Sequence, residues 1–530
     1  MTKKRITFFE YLITFLGFSA MYFFTTPDTD VFMFSRDYEN SISSIIYNAL
    51  HYGNGRLLGN IIGFVFSMNF SYAFLVVAIT LTLMVILMNR FFFYGDYRTV
   101  MPLALVIAFP CTGFISEVYF AFPSFVNFVI PFVFVFASLC LIKNRTETNK
   151  IISFVLVFVL SAASCLFSEN TTISIFTLSV LAAIYSCLYN KKLIIINISF
   201  VAGTSVGGLI MFLIPKLFEA TSNIDSYRGK ADSISAVITS AIAAFSMFAD
   251  ILSRLFIPLI VISSIIILFV KKDSKAPASL KNVLYVVLAF FPIEAFFYSV
   301  FSQYAPSSTY FYIFQAGLVI LYAAALFIAI LCLNKSLFKQ LNIGLYVLTL
   351  SSFGPILLAY LYGWRTFYIP YIVLISYAII LLKKALAYVP DNIAAKFKKQ
   401  KPDKTIALVM SVCFVCLSFT VFIQSVYNYN FFVARTQIIS EKISENDSKE
   451  IKVPIVPCRG ISCEDEGASI GDLLYKTNHK YKIIIAESIY CDDFGRYSAI
   501  LNSNPVSAII TALHTLDFRN DQYIFALLSE

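Results

Sequence analysis

Charge is scarce in this chain. Asp, Glu, Lys and Arg make up 13% of its 530 residues, about half the share of a soluble globular domain. With 59% hydrophobic residues and a mean hydropathy of +0.78, that deficit excludes an ordinary cytosolic enzyme, a disordered protein and a nucleic-acid-binding module. Histidine is scarcer still: His51, His479 and His514 are too scattered for a zinc site. No internal repeat, low-complexity tract or nucleotide-binding domain is visible. Cysteine is present without forming a disulfide framework. Cys111, Cys140, Cys165, Cys187, Cys332, Cys413 and Cys416 lie in or beside apolar segments, where Cys acts as a small hydrophobe. The CxxC spacing of Cys413 and Cys416 sits inside one such segment and reads as packing. Only Cys458, Cys463 and Cys491 lie in polar sequence. A cleavable signal peptide is missing too: Met1–Arg5 is basic, and the apolar stretch to Thr25 has no small-residue cleavage site. It reads as a retained first span.

What the chain has is apolar runs long enough to cross a bilayer, which takes about 20 residues each. Thirteen spans are expected: Thr7–Thr25, Ser71–Met88, Thr99–Ile115, Phe125–Ile142, Ile151–Phe167, Thr171–Tyr189, Leu193–Ile214, Asp250–Val270, Val283–Ser302, Phe311–Leu333, Ile343–Tyr362, Thr366–Leu382 and Thr405–Gln424. With the N-terminus inside, the cytoplasmic segments hold 23 of the 30 Lys and Arg that precede Ser425. That asymmetry follows the positive-inside rule. It also accounts for the net charge of +9 without a nucleic-acid partner.

Three segments on the opposite side are long. Residues 26–70 contain Tyr38–Leu50 and Leu57–Met68, both expected as helices lying at the interface. Residues 216–249 begin polar and turn apolar. The tail, residues 425–530, holds 14 acidic and 10 basic residues. Its strand-like runs at Ile451–Val456 and Tyr481–Ala486 and a helix near Val506–Leu513 predict a small α/β domain outside the membrane. The expected layout is thus a transmembrane domain over 1–424 and an external domain over 425–530.

Ionisable residues are costly at membrane depth and default to function. Asp28, Asp30 and Asp37 follow the first span, Glu117 ends the third, and Glu169 lies between the fifth and sixth. Asp250 and Arg254 begin the eighth, Glu294 lies inside the ninth, and Arg365 opens the twelfth. Most of them gather at the outer boundary. In the first loop, PDTDVFMFSRDYEN sets two carboxylates two residues apart, and HYGNGRLLGN follows. A carboxylate there can serve as a general base on a hydroxyl. Arg56 can pair with a phosphate, and Gly53 and Gly55 let backbone approach an anion. The plainer alternative is a set of interfacial loop residues and turn glycines. Likewise, GTSVGG in the seventh span allows close helix packing or a kink.

These features resemble the GT-C glycosyltransferases, membrane enzymes that use polyprenyl-phosphate sugars, and among them the bacterial serotype-converting O-antigen glucosyltransferases. The resemblance rests on DTD and NGR in the first loop, SEVYFAFPSFVNF at the end of span three, FSENTT after span five, a lone Arg before span twelve and a tail entering a strand (EIKVPIVP). It implies an inverting transfer of glucose or another hexose from a polyprenyl-phosphate donor to a lipid-linked or surface glycan acceptor, with no cofactor or metal. Asp30 would be the catalytic base with Asp28 its understudy, and Asp37 would position. Asn54, Arg56, Arg228, Lys230 and Arg365 would bind the donor and its phosphate. Glu117 and Glu169 would bind sugar hydroxyls or orient the cations. The implied location is the bacterial inner membrane, with the tail in the periplasm. A flippase or transporter of polyprenyl-linked saccharides would instead call for charges at mid-membrane and inverted repeats. An O-antigen polymerase would carry its large external loop between late spans. The tail also predicts a Cys458–Cys463 disulfide from their proximity in an oxidising compartment.

Overall fold

The computed structural model describes residues 3–26, 43–44, 46–47, 55–67, 70–108, 115–143, 150–190, 195–217, 252–253, 255–274, 276–301, 309–334, 336–358, 364–386, 402–445, 450–454, 482–486 and 494–514. Among these the chain is overwhelmingly helical. Its helices are α1 (Lys3–Tyr22), α2 (Leu57–Ser67), α3 (Ala73–Phe93), α4 (Val100–Ala108), α5 (Phe122–Phe128), α6 (Ile130–Lys143), α7 (Lys150–Ser164), α8 (Glu169–Asn190) and α9 (Ile195–Leu217). They continue with α10 (Phe256–Asp273), α11 (Ala278–Phe301), α12 (Thr309–Leu331), α13 (Ser336–Leu358), α14 (Tyr368–Leu386), α15 (Pro402–Glu445), α16 (Phe494–Leu501) and α17 (Pro505–His514). Two strands, β1 (Glu450–Pro454) and β2 (Lys482–Ala486), pair in parallel with Glu450 opposite Lys482.

The architecture is that of a helical membrane protein. Every expected apolar run overlaps a helix, yet among the described residues eight helical segments are both long and apolar enough to cross. These are α3, α5 with α6, α8, α9, α11, α12, α14 and α15. Five of the expected runs are not among these eight. The α4 segment and α7 are apolar but short among the described residues. α1 opens on Lys3, Lys4 and Arg5, α10 closes on Lys271, Lys272 and Asp273, and α13 carries Lys339, Gln340 and Asn342.

The chain divides into two compact units. The first draws on Met1–His51, Leu57–Val133 and Asp403–Glu530, the second on Tyr52–Arg56 and Phe134–Pro402. In the first, α1 packs on α3 and α4. Asn89, fully buried, donates to the Tyr11 hydroxyl and accepts from Thr99 Oγ1, both at 2.9 Å. α3 stops where Tyr94 and Gly95 turn left-handed, a conformation suited to a helix C-terminus. α1 also lies along α15. Ser411 donates to Glu10, the Phe18 and Phe414 rings meet edge to face, and Ser425 donates to the Met21 carbonyl. Positions rise together on both helices, so α1 and α15 run parallel.

α15 is 44 residues long and does not stop at Gln424. Past that point its side chains are covered by the chain's own tail: Ala508 and Ala512 of α17 join Phe24, Val426, Tyr429 and Val433 in one buried cluster. Ile500 of α16 packs on Phe431, Ala434 and Ile438.

The second unit begins with α7, α8 and α9 as an up-down-up trio. Ser199 donates to the Phe154 carbonyl, and Gly203 and Gly207 lie against Ser161 and Ala162, so α7 and α9 run parallel. Thr204–Ser179 and Asn197–Ala182 contacts set α8 antiparallel between them. A Cβ at Gly203 or Gly207 would strike the α7 backbone. GTSVGG is therefore a close-packing surface of the small-residue kind found between membrane helices. α8 packs further on α13, and α14 on α10 and α13.

Candidate functional site

The site is built at one end of the α7–α8–α9 trio. The turn from α7 to α8 is FSENTT. Phe167, Ser168, Thr171 and Thr172 are buried. Ser168 caps α8, its Oγ accepting from the Thr171 N–H at 3.3 Å and lying 2.7 Å from Thr171 Oγ1. Such a cap satisfies an amide that the helix leaves open. Thr172 Oγ1 donates to the Cys165 carbonyl at 2.7 Å and ties the corner shut. Glu169 is then fixed as the first residue of α8, where the positive end of the helix dipole favours a carboxylate.

Arg56 reaches this corner from the first loop. Gly55 is buried with φ of +75°, a backbone state natural to glycine. A Cβ there would collide with the Met211 carbonyl oxygen near the end of α9. The close approach that glycine permits here is to the chain's own backbone. With Gly55 seated, Arg56 donates to Glu169 Oε2 from Nε at 3.2 Å and from Nη2 at 3.0 Å. The two side chains are 29% and 24% exposed, so the pair is half-sheltered at a boundary. The structure thus brings together two residues that the sequence nominates, 113 positions apart.

Among the other nominated residues, Glu117 lies in the first unit, half-buried on a π-helical turn, Ile115–Tyr119. Val118 and Tyr119, which follow it, are buried, and the Tyr119 hydroxyl donates to the Ile107 carbonyl. π-turns often mark functional positions. The following FPSFVNF is a buried helix, α5, whose Asn127 donates to the Pro123 carbonyl. Arg365 belongs to the second unit and is exposed on a 3-10 turn, Trp364–Phe367, which packs on α13 and α14. Asp28, Asp30, Asp37, Asn54, Arg228 and Lys230 lie outside the described residues. So do Asp250, Arg254 and Cys458, Cys463 and Cys491.

Comparison with protein-family models, with curated proteins and with solved structures finds no match.

Sequence reading missed two contributors. One is the capping Ser168 with Thr171 and Thr172, legible as Ser immediately ahead of a polar helix start. The other is Gln315, on α12, which donates to Glu294 Oε1 across the antiparallel α11–α12 pair. Gln315 is 3% exposed. Glu294 Oε2 and Gln315 Oε1 are both buried without a hydrogen-bond partner. Among the described residues no cluster of three or more His, Cys, Asp or Glu side chains forms.

Proposed function

We propose that the chain is an inverting glycosyltransferase of the GT-C kind. It moves glucose or another hexose from a polyprenyl-phosphate donor to a cell-surface glycan such as O-antigen, on the outer face of the bacterial inner membrane. The observation that carries the reading is the Arg56–Glu169 pair: a guanidinium from the first loop held by a carboxylate at a helix start, at the end of a membrane-helix trio. In this reading Asp30 takes the proton of the acceptor hydroxyl as its oxygen bonds to the anomeric carbon. Asp28 stands beside it, Asp37 positions, and the bond to the lipid phosphate breaks with the electron pair going to phosphate. Arg56, with Asn54, Arg228, Lys230 and Arg365, meets the charge that develops there. Glu169 keeps Arg56 oriented, and Glu117 binds sugar hydroxyls.

The topology that goes with this function has thirteen spans, a cytoplasmic N-terminus and a periplasmic α/β tail. The parallel run of α1 and α15 supports the two termini lying on opposite faces. One observation favours a second reading, a carrier of polyprenyl-linked saccharides: the Glu294–Gln315 pair, a carboxylate within a helix interior. The test is transfer by purified protein from a polyprenyl-phosphate hexose to a lipid-linked glycan. Transfer should be abolished in Asp30→Asn and strongly reduced in Arg56→Lys, because lysine keeps the charge and loses the two-donor edge. Glu294→Gln should retain it. No transfer by the unaltered protein, or full transfer by Asp30→Asn, would reject the assignment.

A further inference from the structure

α15 carries its own ruler for the membrane. Leu408, Val409, Val412, Val415, Leu417 and Phe419 are exposed apolar side chains, the last 59% exposed. Beyond Phe419 no large apolar side chain of α15 is exposed among the described residues. Counting the roughly 20 residues that span the hydrocarbon from the start of this stripe ends the hydrocarbon near Tyr427. Aromatic rings gather at that level: Phe24 lies against Phe422 and Tyr429, and Phe23 against Phe74. Of these, Tyr429 is of the amphipathic kind that concentrates at such boundaries.

The tail hairpin comes down to the same level. Arg496, near the start of α16, pairs with Glu441. Ile500 sits by Phe431 to Ile438, and the Ser503 carbonyl accepts from the Tyr427 hydroxyl at 2.6 Å. The turn joining α16 to α17 is therefore the part of the hairpin nearest the bilayer. α17 starts there rigidly: Asn504 Oδ1 accepts from the Ser507 N–H at 2.8 Å, Pro505 is the first helical residue, and Asn430 donates to the Ala508 carbonyl. With Ala508 and Ala512 turned to α15, Val506 is left 67% and Ile510 51% exposed, one helical turn apart. From Phe494 to His514 the hairpin contains no acidic residue and one arginine.

We infer that this corner docks on the lipid surface, with Val506 and Ile510 set into the headgroup layer at the face where α15 emerges. The apolar pair continues the lipid-facing stripe of α15 upward, and the near-neutral hairpin makes the contact independent of anionic lipid. This rests on α15 crossing the membrane and not on the transferase reading.

The single tryptophan of the chain, Trp364, makes the test clean. In full-length Trp364→Phe protein reconstituted in phosphatidylcholine vesicles, Val506→Trp and Ile510→Trp each report one position. Gly495→Trp, near the Arg496–Glu441 end and with open space at its Cβ, is the aqueous control. Expected is blue-shifted emission at 506 and 510, lost to acyl-brominated phosphatidylcholine and protected from iodide, with the reverse at 495. Adding phosphatidylglycerol should change nothing. Iodide quenching at 506 and 510 equal to that at 495 overturns the inference. So does shielding from both quenchers, which would mean a protein partner on this face.

Discussion

The second unit joins its helices in two contrasting ways. α7 and α9 meet through Gly203 and Gly207, with hydroxyls returned to backbone carbonyls and the charges moved to the end, onto Arg56 and Glu169. α11 and α12 meet with a carboxylate between them. Glu294 and Gln315 share one hydrogen bond, flanked by the Tyr298–Phe311 and Phe291–Tyr322 ring contacts. Pro292 lies inside α11 two residues before Glu294. At the first junction, packing comes from absent side chains and the two charges pair with one another, partly exposed. At the second, two oxygens are buried without partners, a state that costs about 1–3 kcal/mol per group. Cohesion and charge are separated in one place and superposed in the other.

The largest effect should come from filling the glycine contact. Gly207→Leu is expected to destabilise the protein by about 3 kcal/mol, since overpacking against backbone has no soft neighbour to displace. Thermal unfolding in detergent reads it, and an unchanged midpoint would mean that α7 and α9 are not tightly joined. Next comes the interior pair. Gln315→Leu strands the Glu294 carboxyl and should cost about 2 kcal/mol, while Glu294→Leu with Gln315→Leu should recover most of it. If the double variant is as unstable as the single one, the pair is not the source of the cost. The smallest effect belongs to Arg56 and Glu169. A double-mutant cycle with Arg56→Ala and Glu169→Ala should give a coupling of about 1 kcal/mol, limited by solvent at the half-exposed pair and reduced by salt. A coupling at zero would sever the first loop from α8.

Much of the helical framework was legible because apolar length is a direct reading of what a bilayer demands. Each expected run overlaps a helix, and Leu57–Met68 is nearly α2 itself. The strand-like runs at Ile451–Val456 and Tyr481–Ala486 fall on β1 and β2. What hydropathy could not give was the extent of α15. Asn428, Asn430 and Arg435 lower the apolar signal after Gln424, but they are buried, Asn430 donating to the Ala508 carbonyl of α17, and only tertiary packing reveals that. Thr99–Ile115 read as one run, whereas helix α4 covers Val100–Ala108 and a π-turn covers Ile115–Tyr119. Residues 109–114 between them lie outside the described residues. At the candidate site the sequence nominated Arg56 and Glu169 separately. Their pairing depends on Gly55 meeting the end of α9, which no spacing along the chain encodes.

The length of α15 has a consequence in phase. Its 44 residues rise about 66 Å, with 3.6 residues to each turn. The stripe that meets lipid and the face that carries the tail are thus two bearings on a single shaft. Adding one residue between Phe419 and Val426 would swing everything beyond it by about 100°, pulling α17 off Phe24 just past α1. Three or four added residues would nearly restore the bearing while raising the tail by about 5 Å. Evolution can therefore lengthen this shaft only in whole turns.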